Sequence, residues 1–110
     1  MKELKRVILK LSGEALSGEA KSGYDDVLIE DIARQVKKIV EKGIDVGVVI
    51  GGGNYWRGRS NDNIDRTKAD QIGMLATIMN CIYVSEIFRS CGIKTNILTP
   101  FECGSMTKLF

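Results

Sequence analysis

Three consecutive glycines, Gly51-Gly52-Gly53, end a short apolar run and form the first group in this sequence whose type and spacing suit chemistry. Because glycine has no side chain, successive backbone N–H groups there can approach an anion closely and can adopt positive φ. A sharp turn that requires glycine for steric reasons alone explains the triplet equally well. The triplet is not a dinucleotide-binding fingerprint, since Trp56 occupies the position of that motif's last glycine.

Lys10 is a second candidate, because it lies inside an apolar run between Leu9 and Leu11. An ammonium group is costly to bury without a partner. The lysine therefore either reaches water from an edge strand or meets a phosphate group as a point charge. Ser12 and Gly13 follow directly and add a hydroxyl group and a flexible backbone for the same anion.

Two arginines, Arg57 and Arg59, lie four and six residues after Gly53. Guanidinium groups near a glycine-rich loop can hold phosphate through paired hydrogen bonds. A solvated basic loop, with Asp62 and Asp65 as ionic partners, explains Arg59 at least as well but explains Arg57 less well. Arg57 is therefore the candidate anion ligand of the two.

Asp70 is the candidate acidic residue, and the pattern places it in the first turn of a helix, three residues before Gly73. The helix dipole alone favours a carboxylate at such a position. Gly73 costs about 1 kcal/mol relative to alanine inside a helix, which suggests that another group packs closely on it. A carboxylate beside that gap could accept hydrogen bonds from vicinal sugar hydroxyl groups.

The composition excludes several kinds of chemistry. The chain has 110 residues and no histidine, so Ser-His-Asp and Cys-His mechanisms and histidine-ligated metal sites are ruled out. Its 16 basic and 14 acidic residues are too balanced to indicate nucleic-acid binding. Three cysteines without a CxxC pair favour buried, inert thiols and a cytoplasmic setting. No apolar window approaches about 18 residues, so we expect no membrane span.

The hydrophobic pattern predicts two helices between three strands. The strands are 7–11, 46–50 and 93–98, and a loop from Ser12 to about Asp25 follows the first of them. The first helix is amphipathic, begins at Asp25 or Asp26 and ends at Gly43. Its predicted apolar face is Leu28, Ile32, Val36, Ile39 and Val40. The second helix, 67–90, is apolar on more than one face and is expected to be largely buried.

This order of elements predicts an α/β fold with a parallel sheet and right-handed crossovers. Ligands bind such sheets at the carboxyl ends of the strands, which brings together 10–13, 51–54 and the stretch after Leu98. Three parallel strands and two helices leave sheet surface uncovered, so the sequence looks like a piece of a longer chain.

The motifs in combination resemble the N-terminal half of bacterial uridylate (UMP) kinases, in the amino acid kinase superfamily. The matching pieces are KLSGEAL at 10–16, VGVVIGGGN at 46–54, Arg57-Gly58, and Asp70 followed by GMLAT at 73–77. They occur in the family order and cover nearly the whole chain, weakening after about Leu98. The resemblance implies a parallel three-layer α/β sandwich of the amino acid kinase type, truncated, with 1–110 as one partial domain that binds the nucleoside monophosphate.

The resemblance also implies an activity, the transfer of a phosphoryl group from ATP to UMP with Mg²⁺, in pyrimidine nucleotide biosynthesis. Phosphoryl transfer needs mainly positioning and electrostatics, so a site without histidine is no obstacle. Lys10 would stabilise charge on the transferring group, Gly52 would contact UMP, and Asp70 would hold the UMP ribose. The residues that would meet the ATP phosphates are Lys10, Leu11, Ser12, Gly13, Gly53 and Arg57.

The family chains continue about as far again, so residues 1–110 alone are expected to be inactive. The resemblance further implies a cytoplasmic homohexamer that binds neither nucleic acid nor membrane. Two alternatives stay open. One is another amino acid kinase that acts on a carboxylate or carbamate, for which Asp70 would have no ribose to hold. The other is a non-catalytic module that binds nucleotides or anions.

Overall fold

A parallel pair of strands forms the main sheet of this protein. The computed structural model describes residues 4–20, 22–56 and 63–110. Strands β1 (Arg6–Leu11) and β2 (Asp45–Ile50) pair in parallel, and Leu11 lies opposite Ile50 at their common carboxyl end. Short apolar, β-branched runs produced this part of the prediction, and both strands are confirmed.

The predicted loop after β1 is wrong, because it contains helix α1 (Gly13–Ser17) and a 3₁₀ turn (Gly18–Ala20). The Ser12 hydroxyl group caps α1 by accepting a hydrogen bond from the Ala15 backbone N–H at 3.2 Å. A serine that the sequence suggested as an anion ligand therefore also begins a helix.

Helix α2 (Asp26–Val40) begins as predicted, with the Asp25 carboxylate accepting from the Leu28 N–H at 3.1 Å. Its buried residues are Ile29, Ala33 and Val36. Only Val36 belongs to the apolar face predicted from the sequence. Ile32 of the predicted face is partly buried, but the helix turns Ile29 and Ala33 inward, two residues that the predicted face omitted.

Helix α3 (Arg66–Ser90) begins one residue earlier than predicted, so Asp70 lies beyond the first turn. The prediction that the helix is largely buried is wrong. Its buried residues form one strip, Ala69, Ala76, Asn80, Val84 and Phe88, while apolar residues such as Leu75 remain 60% exposed. By length and composition alone α3 could cross a membrane, contrary to our expectation, but core helices of soluble proteins satisfy the same criterion.

The third predicted strand does not pair with β2. Residues 93–97 are not part of a strand, and a cleft of about 490 Å³ lies between them and β2. The segment is held by α3 instead, since the Ile93 N–H donates to the Phe88 carbonyl at 3.1 Å and the Ser85 and Thr95 hydroxyl groups lie 2.6 Å apart. Strand β3 (Leu98–Thr99) pairs in parallel with β4 (Lys108–Leu109), a strand that the sequence did not predict.

Both long helices contribute to one core on a single face of the main sheet. The core residues are Leu11, Leu16, Ile29, Ala33, Val36, Val84, Phe88 and Ile93, with Leu9, Val46, Val48 and Ile50 packed against them. The opposite sheet face is open, and Ile8 there is 79% exposed. This arrangement places one helical layer on the sheet and directs the carboxyl ends of β1 and β2 toward the same loops.

Candidate functional site

The loops that follow β1 and β2 lie in direct backbone contact, as the parallel sheet predicts. The Gly51 N–H donates to the Leu11 carbonyl at 3.0 Å. A Cβ atom added to Gly13 would lie against the Gly53 nitrogen and 2.7 Å from the Asn54 nitrogen. The structure therefore brings the two loops together, and glycine is required at residue 13 because backbone atoms leave no room for a side chain.

The glycine loop, defined as 51–54, uses its glycines for close approach. None of its three glycines, all within the described residues, has the positive φ that the sequence analysis allowed for. A Cβ on Gly52 would lie 3.0 Å from the Thr77 hydroxyl oxygen and 3.2 Å from the Gly73 carbonyl oxygen. The loop backbone therefore packs closely against α3, and glycine is needed at residue 52 because a larger side chain would meet Thr77 and Gly73.

The Glu14 carboxylate lies directly against Gly53, where an added Cβ would overlap its Oε1 atom. An anionic oxygen therefore already reaches the backbone that the sequence analysis assigned to an ATP phosphate. A phosphate oxygen at the same place must displace the Glu14 side chain or share a cation with it.

A cavity of about 450 Å³ lies beside the contact between the glycine loop and α3 and is lined by residues of both. Its lining residues are Gly52, Gly53, Trp56, Ala69, Asp70, Gly73, Met74 and Thr77. Asp70 is exposed and contributes the cavity's acidic side chain. The group packed on Gly73 is Trp56, with 3.5 Å from its Cδ1 atom to an added Cβ, a distance at which an alanine would also fit.

Lys10 lies apart from this cavity, on the open face of the sheet opposite Val49. It is exposed, and its ammonium group forms no ion pair with any residue of the described ranges. The edge-strand alternative for Lys10 thus fits its exposure, and Lys10 lies one residue before the carboxyl end of β1. Arg57, Arg59 and Asp62 lie outside the described residues.

Known proteins share this arrangement of strands, loops and helices. The model of the amino acid kinase family matches residues 5–109. The chain belongs to the amino acid kinase family. Its predicted α/β fold of the amino acid kinase type is therefore confirmed, and membership supports a kinase role.

Two solved structures of UMP kinases resemble this chain closely. The UMP kinase from Bacillus anthracis superposes with a TM-score of 0.90 and 35% identity, over 99% of this chain and 46% of that one. The UMP kinase from Ureaplasma parvum superposes with a TM-score of 0.88 and 33% identity, over 98% of this chain and 48% of that one. The chain thus spans about half the length of these two UMP kinases.

This member of the amino acid kinase family also contains a buried amide pair that sequence reasoning missed. The Asn80 Nδ2 group donates to the Gly51 carbonyl at 2.8 Å and to Asn54 Oδ1 at 2.7 Å. The Asn54 Nδ2 group donates to the Gly23 carbonyl at 2.9 Å. The available signal was the position of Asn80, ten residues after Asp70, within an apolar stretch of helix.

Tyr24 completes this network, since its hydroxyl group donates to Asn80 Oδ1 at 2.7 Å. Its ring stacks on Tyr83, with centroids 3.8 Å apart, and the Tyr83 hydroxyl donates to the Asp26 carboxylate. Burial, with smaller contributions from neighbouring tyrosines and Cys81, raises the pKa of Tyr24 to about 12. The hydroxyl therefore stays protonated and remains a donor at neutral pH.

The three cysteines lie outside this site and are half-buried, so the prediction that they are buried holds only in part. Burial raises the pKa of the Cys81 thiol, which favours its protonated form. The described residues contain no group of three or more histidine, cysteine or acidic side chains that could hold a metal ion. Mg²⁺ in kinases is held largely through substrate phosphates, for which one or two carboxylates suffice.

Proposed function

We propose that these residues bind UMP and the phosphates of ATP, and that the protein containing them transfers the γ-phosphoryl group of ATP to UMP. The cavity that sets Gly52 and Gly53 opposite Asp70 carries this proposal. Bare backbone on one wall suits a phosphate group, and an exposed carboxylate on the other suits ribose hydroxyl groups. The similarity to the two UMP kinases supports the same substrate.

In this proposal the two nucleotides approach the loops from different sides. UMP occupies the cavity, with Gly52 at its phosphate and Asp70 at its ribose. The ATP phosphates lie over 10–13 and Gly53, where Arg57 adds a guanidinium group. Lys10 reaches them from the open sheet face, and its charge stabilises the transferring phosphoryl group in the transition state.

Mg²⁺ is proposed to accompany ATP, and when bound it neutralises charge on the phosphate oxygens. The Glu14 carboxylate lies against Gly53, so it fits one of the one or two carboxylate ligands that such an ion takes from a protein. The backbone N–H groups of the loops and the basic side chains make the other proposed contacts with the phosphates.

We also propose that the protein is a cytoplasmic homohexamer of pyrimidine nucleotide biosynthesis, with UMP and ATP as its small-molecule partners. The exposed apolar residues of α3, including Leu75 and Met79, suit contacts between subunits. Residues 1–110 alone are proposed to be inactive, since the two similar UMP kinases are about twice as long.

The direct test combines binding and catalysis in the full natural chain that contains these residues. Trp56 is the only tryptophan in these 110 residues and lines the cavity, so UMP is expected to change its fluorescence. UDP formation from ATP and UMP, with acetate and carbamate as alternative acceptors, identifies the substrate. Phosphorylation of acetate or carbamate but not of UMP would contradict the proposal.

Replacing Asp70 with alanine is expected to weaken UMP binding about thirtyfold, because a hydrogen-bonded charged acceptor is lost. Binding of dUMP should weaken less, since dUMP already lacks one hydroxyl group that the carboxylate would accept from. Calorimetric titration with both nucleotides measures the difference.

Asp65→Ala is the matched control for this experiment, because Asp65 precedes the same helix and makes no capping hydrogen bond. It removes the same charge away from the cavity lining and should leave both affinities nearly unchanged. If Asp70→Ala loses affinity for UMP and for dUMP by the same factor, Asp70 does not contact the 2′-hydroxyl group.

A further inference from the structure

We propose that Asn80 is a positioning residue that holds the α3 wall of the UMP cavity at a fixed distance from the glycine loop. The inference rests on the proposed function, because it assigns a role in UMP binding to a residue that does not line the cavity. UMP binding would then require Asn80 in addition to the residues that line the cavity.

The Asn80 amide is fully engaged in hydrogen bonds. Its two N–H groups donate to the Gly51 carbonyl and to Asn54 Oδ1, at 2.8 and 2.7 Å. Its oxygen accepts from the Tyr24 hydroxyl at 2.7 Å and from Asn54 Nδ2 at 3.4 Å. Asn80 is 0% exposed, and a buried amide is costly unless it is satisfied, so these bonds fix its orientation.

The partners of Asn80 bracket the part of the loop that lines the cavity. Gly51 precedes and Asn54 follows the pair Gly52-Gly53. One side chain thus holds both ends of the segment proposed to meet phosphate. Because Asn80 is rigidly part of α3, any shift of the loop away from the helix must break these bonds.

The same helix presents the other wall of the cavity. Asp70, Gly73, Thr77 and Asn80 follow one another at spacings of three, four and three residues, which places them on one face of α3. Asp70 therefore stands on the structural element that Asn80 ties to the loop. The bonds of Asn80 set the separation between the proposed ribose contact and the proposed phosphate contact.

Tyr24 orients the amide through its bond to Asn80 Oδ1. Its ring is stacked on Tyr83 at 3.8 Å and meets Tyr55 edge-on at 5.4 Å, so its hydroxyl group has little freedom. Removing that hydroxyl leaves Asn80 Oδ1, among the described residues, with the longer bond from Asn54 at 3.4 Å. The amide then loses its preferred orientation while the packing of the rings is retained.

A purely structural role for Asn80 makes a different prediction. Loss of core hydrogen bonds alone would lower the unfolding temperature but would leave the affinity of the folded molecules for UMP unchanged. A positioning role raises the Kd for UMP in molecules that are fully folded. The affinity, measured well below the unfolding temperature of each variant, therefore separates the two roles.

The test compares Tyr24→Phe with Tyr83→Phe in the full natural chain. Both substitutions remove one phenolic hydroxyl group from the same stacked pair, but only Tyr24 donates to Asn80, whereas Tyr83 donates to Asp26. We expect Tyr24→Phe to raise the Kd for UMP about fivefold and Tyr83→Phe to leave it unchanged. Calorimetry with UMP supplies the Kd, and thermal unfolding confirms the folded state.

Asn80→Asp provides the stronger perturbation at the same size. An ionised carboxylate cannot donate to the Gly51 carbonyl or to Asn54 Oδ1, so the Kd for UMP is expected to rise about thirtyfold. If this variant does not fold, the two tyrosine variants decide the question. Unchanged Kd values in Tyr24→Phe and in folded Asn80→Asp overturn the positioning role, whereas failure of the unsubstituted protein to bind UMP overturns the proposed function and the inference together.

Discussion

Lys10→Met in the full natural chain is expected to lower kcat about a hundredfold, while the KM for UMP changes little. One charge-assisted contact made in the transition state contributes on the order of 3 kcal/mol, which corresponds to that factor. The KM for UMP should stay nearly unchanged because Lys10 lies on the open sheet face, away from the cavity proposed for UMP.

The fold should tolerate this change well. Lys10 is exposed and forms no ion pair within the described ranges, so methionine removes a charge without leaving a buried partner. Lys5→Met is the matched control, since it makes the same chemical change just before the opposite end of β1. Steady-state kinetics that show kcat within about threefold of the unsubstituted protein would show that Lys10 does not act on the transferring phosphoryl group.

The features that the sequence predicted well are local ones. An apolar, β-branched run predicts a strand at 46–50 without knowledge of its partners, and parallel pairing then places the glycine loop beside Gly13. The burial expected for this strand is wrong, because its residues alternate between exposed and half-buried. The cap of α2 at Asp25 is local as well, because its bond spans three residues. Such signals need only the periodicity and the capping chemistry of one segment.

The features that the sequence missed depend on distant partners. Residues 93–97 have the composition of a strand, but the Ser85–Thr95 contact and the Phe88 carbonyl hold them on α3. The bond between Tyr24 and Asn80 joins residues 56 positions apart, and no periodicity indicates it. Helix α3 is apolar on several faces, so the pattern could not show which strip would be buried.

The glycine loop shows how a correct residue can be predicted for an incomplete reason. Three consecutive glycines suggest positive φ and anion contact, yet the structure explains these glycines by packing against Gly13, Glu14 and Thr77. Packing of Gly52 against Thr77 leaves the loop's backbone bare on the cavity side, whereas the Glu14 carboxylate must move or share a cation before a phosphate can contact Gly53. The same absence of side chains serves both purposes.

Gly13→Ala is expected to destabilise the protein by about 3 kcal/mol and to weaken ATP binding, because the added methyl group meets backbone atoms on every near side. An alanine Cβ would overlap the Gly53 nitrogen, with the Asn54 nitrogen at 2.7 Å and the Gly52 carbonyl carbon at 2.8 Å. Backbone atoms cannot turn aside as a flexible side chain can, so the glycine loop must move away from α1. That movement separates the two loops proposed to hold the ATP phosphates and strains the Gly51–Leu11 hydrogen bond.

Gly47→Ala is the matched control for this prediction. An alanine Cβ at residue 47 would lie 3.9 Å from the Ile8 Cγ1 atom, an ordinary contact on the open face of the sheet. Its unfolding free energy should stay within about 0.5 kcal/mol of the unsubstituted value. Urea unfolding of both variants, with calorimetric titration of ATP, measures the two effects.

If Gly13→Ala unfolds at the same urea concentration as Gly47→Ala and binds ATP equally well, the two loops are not in tight contact. The proposal that they bind the ATP phosphates together is then wrong as well. If Gly13→Ala is less stable but binds ATP with unchanged affinity, Gly13 has a role in packing only. The ATP phosphates would then be bound by Lys10 and Arg57.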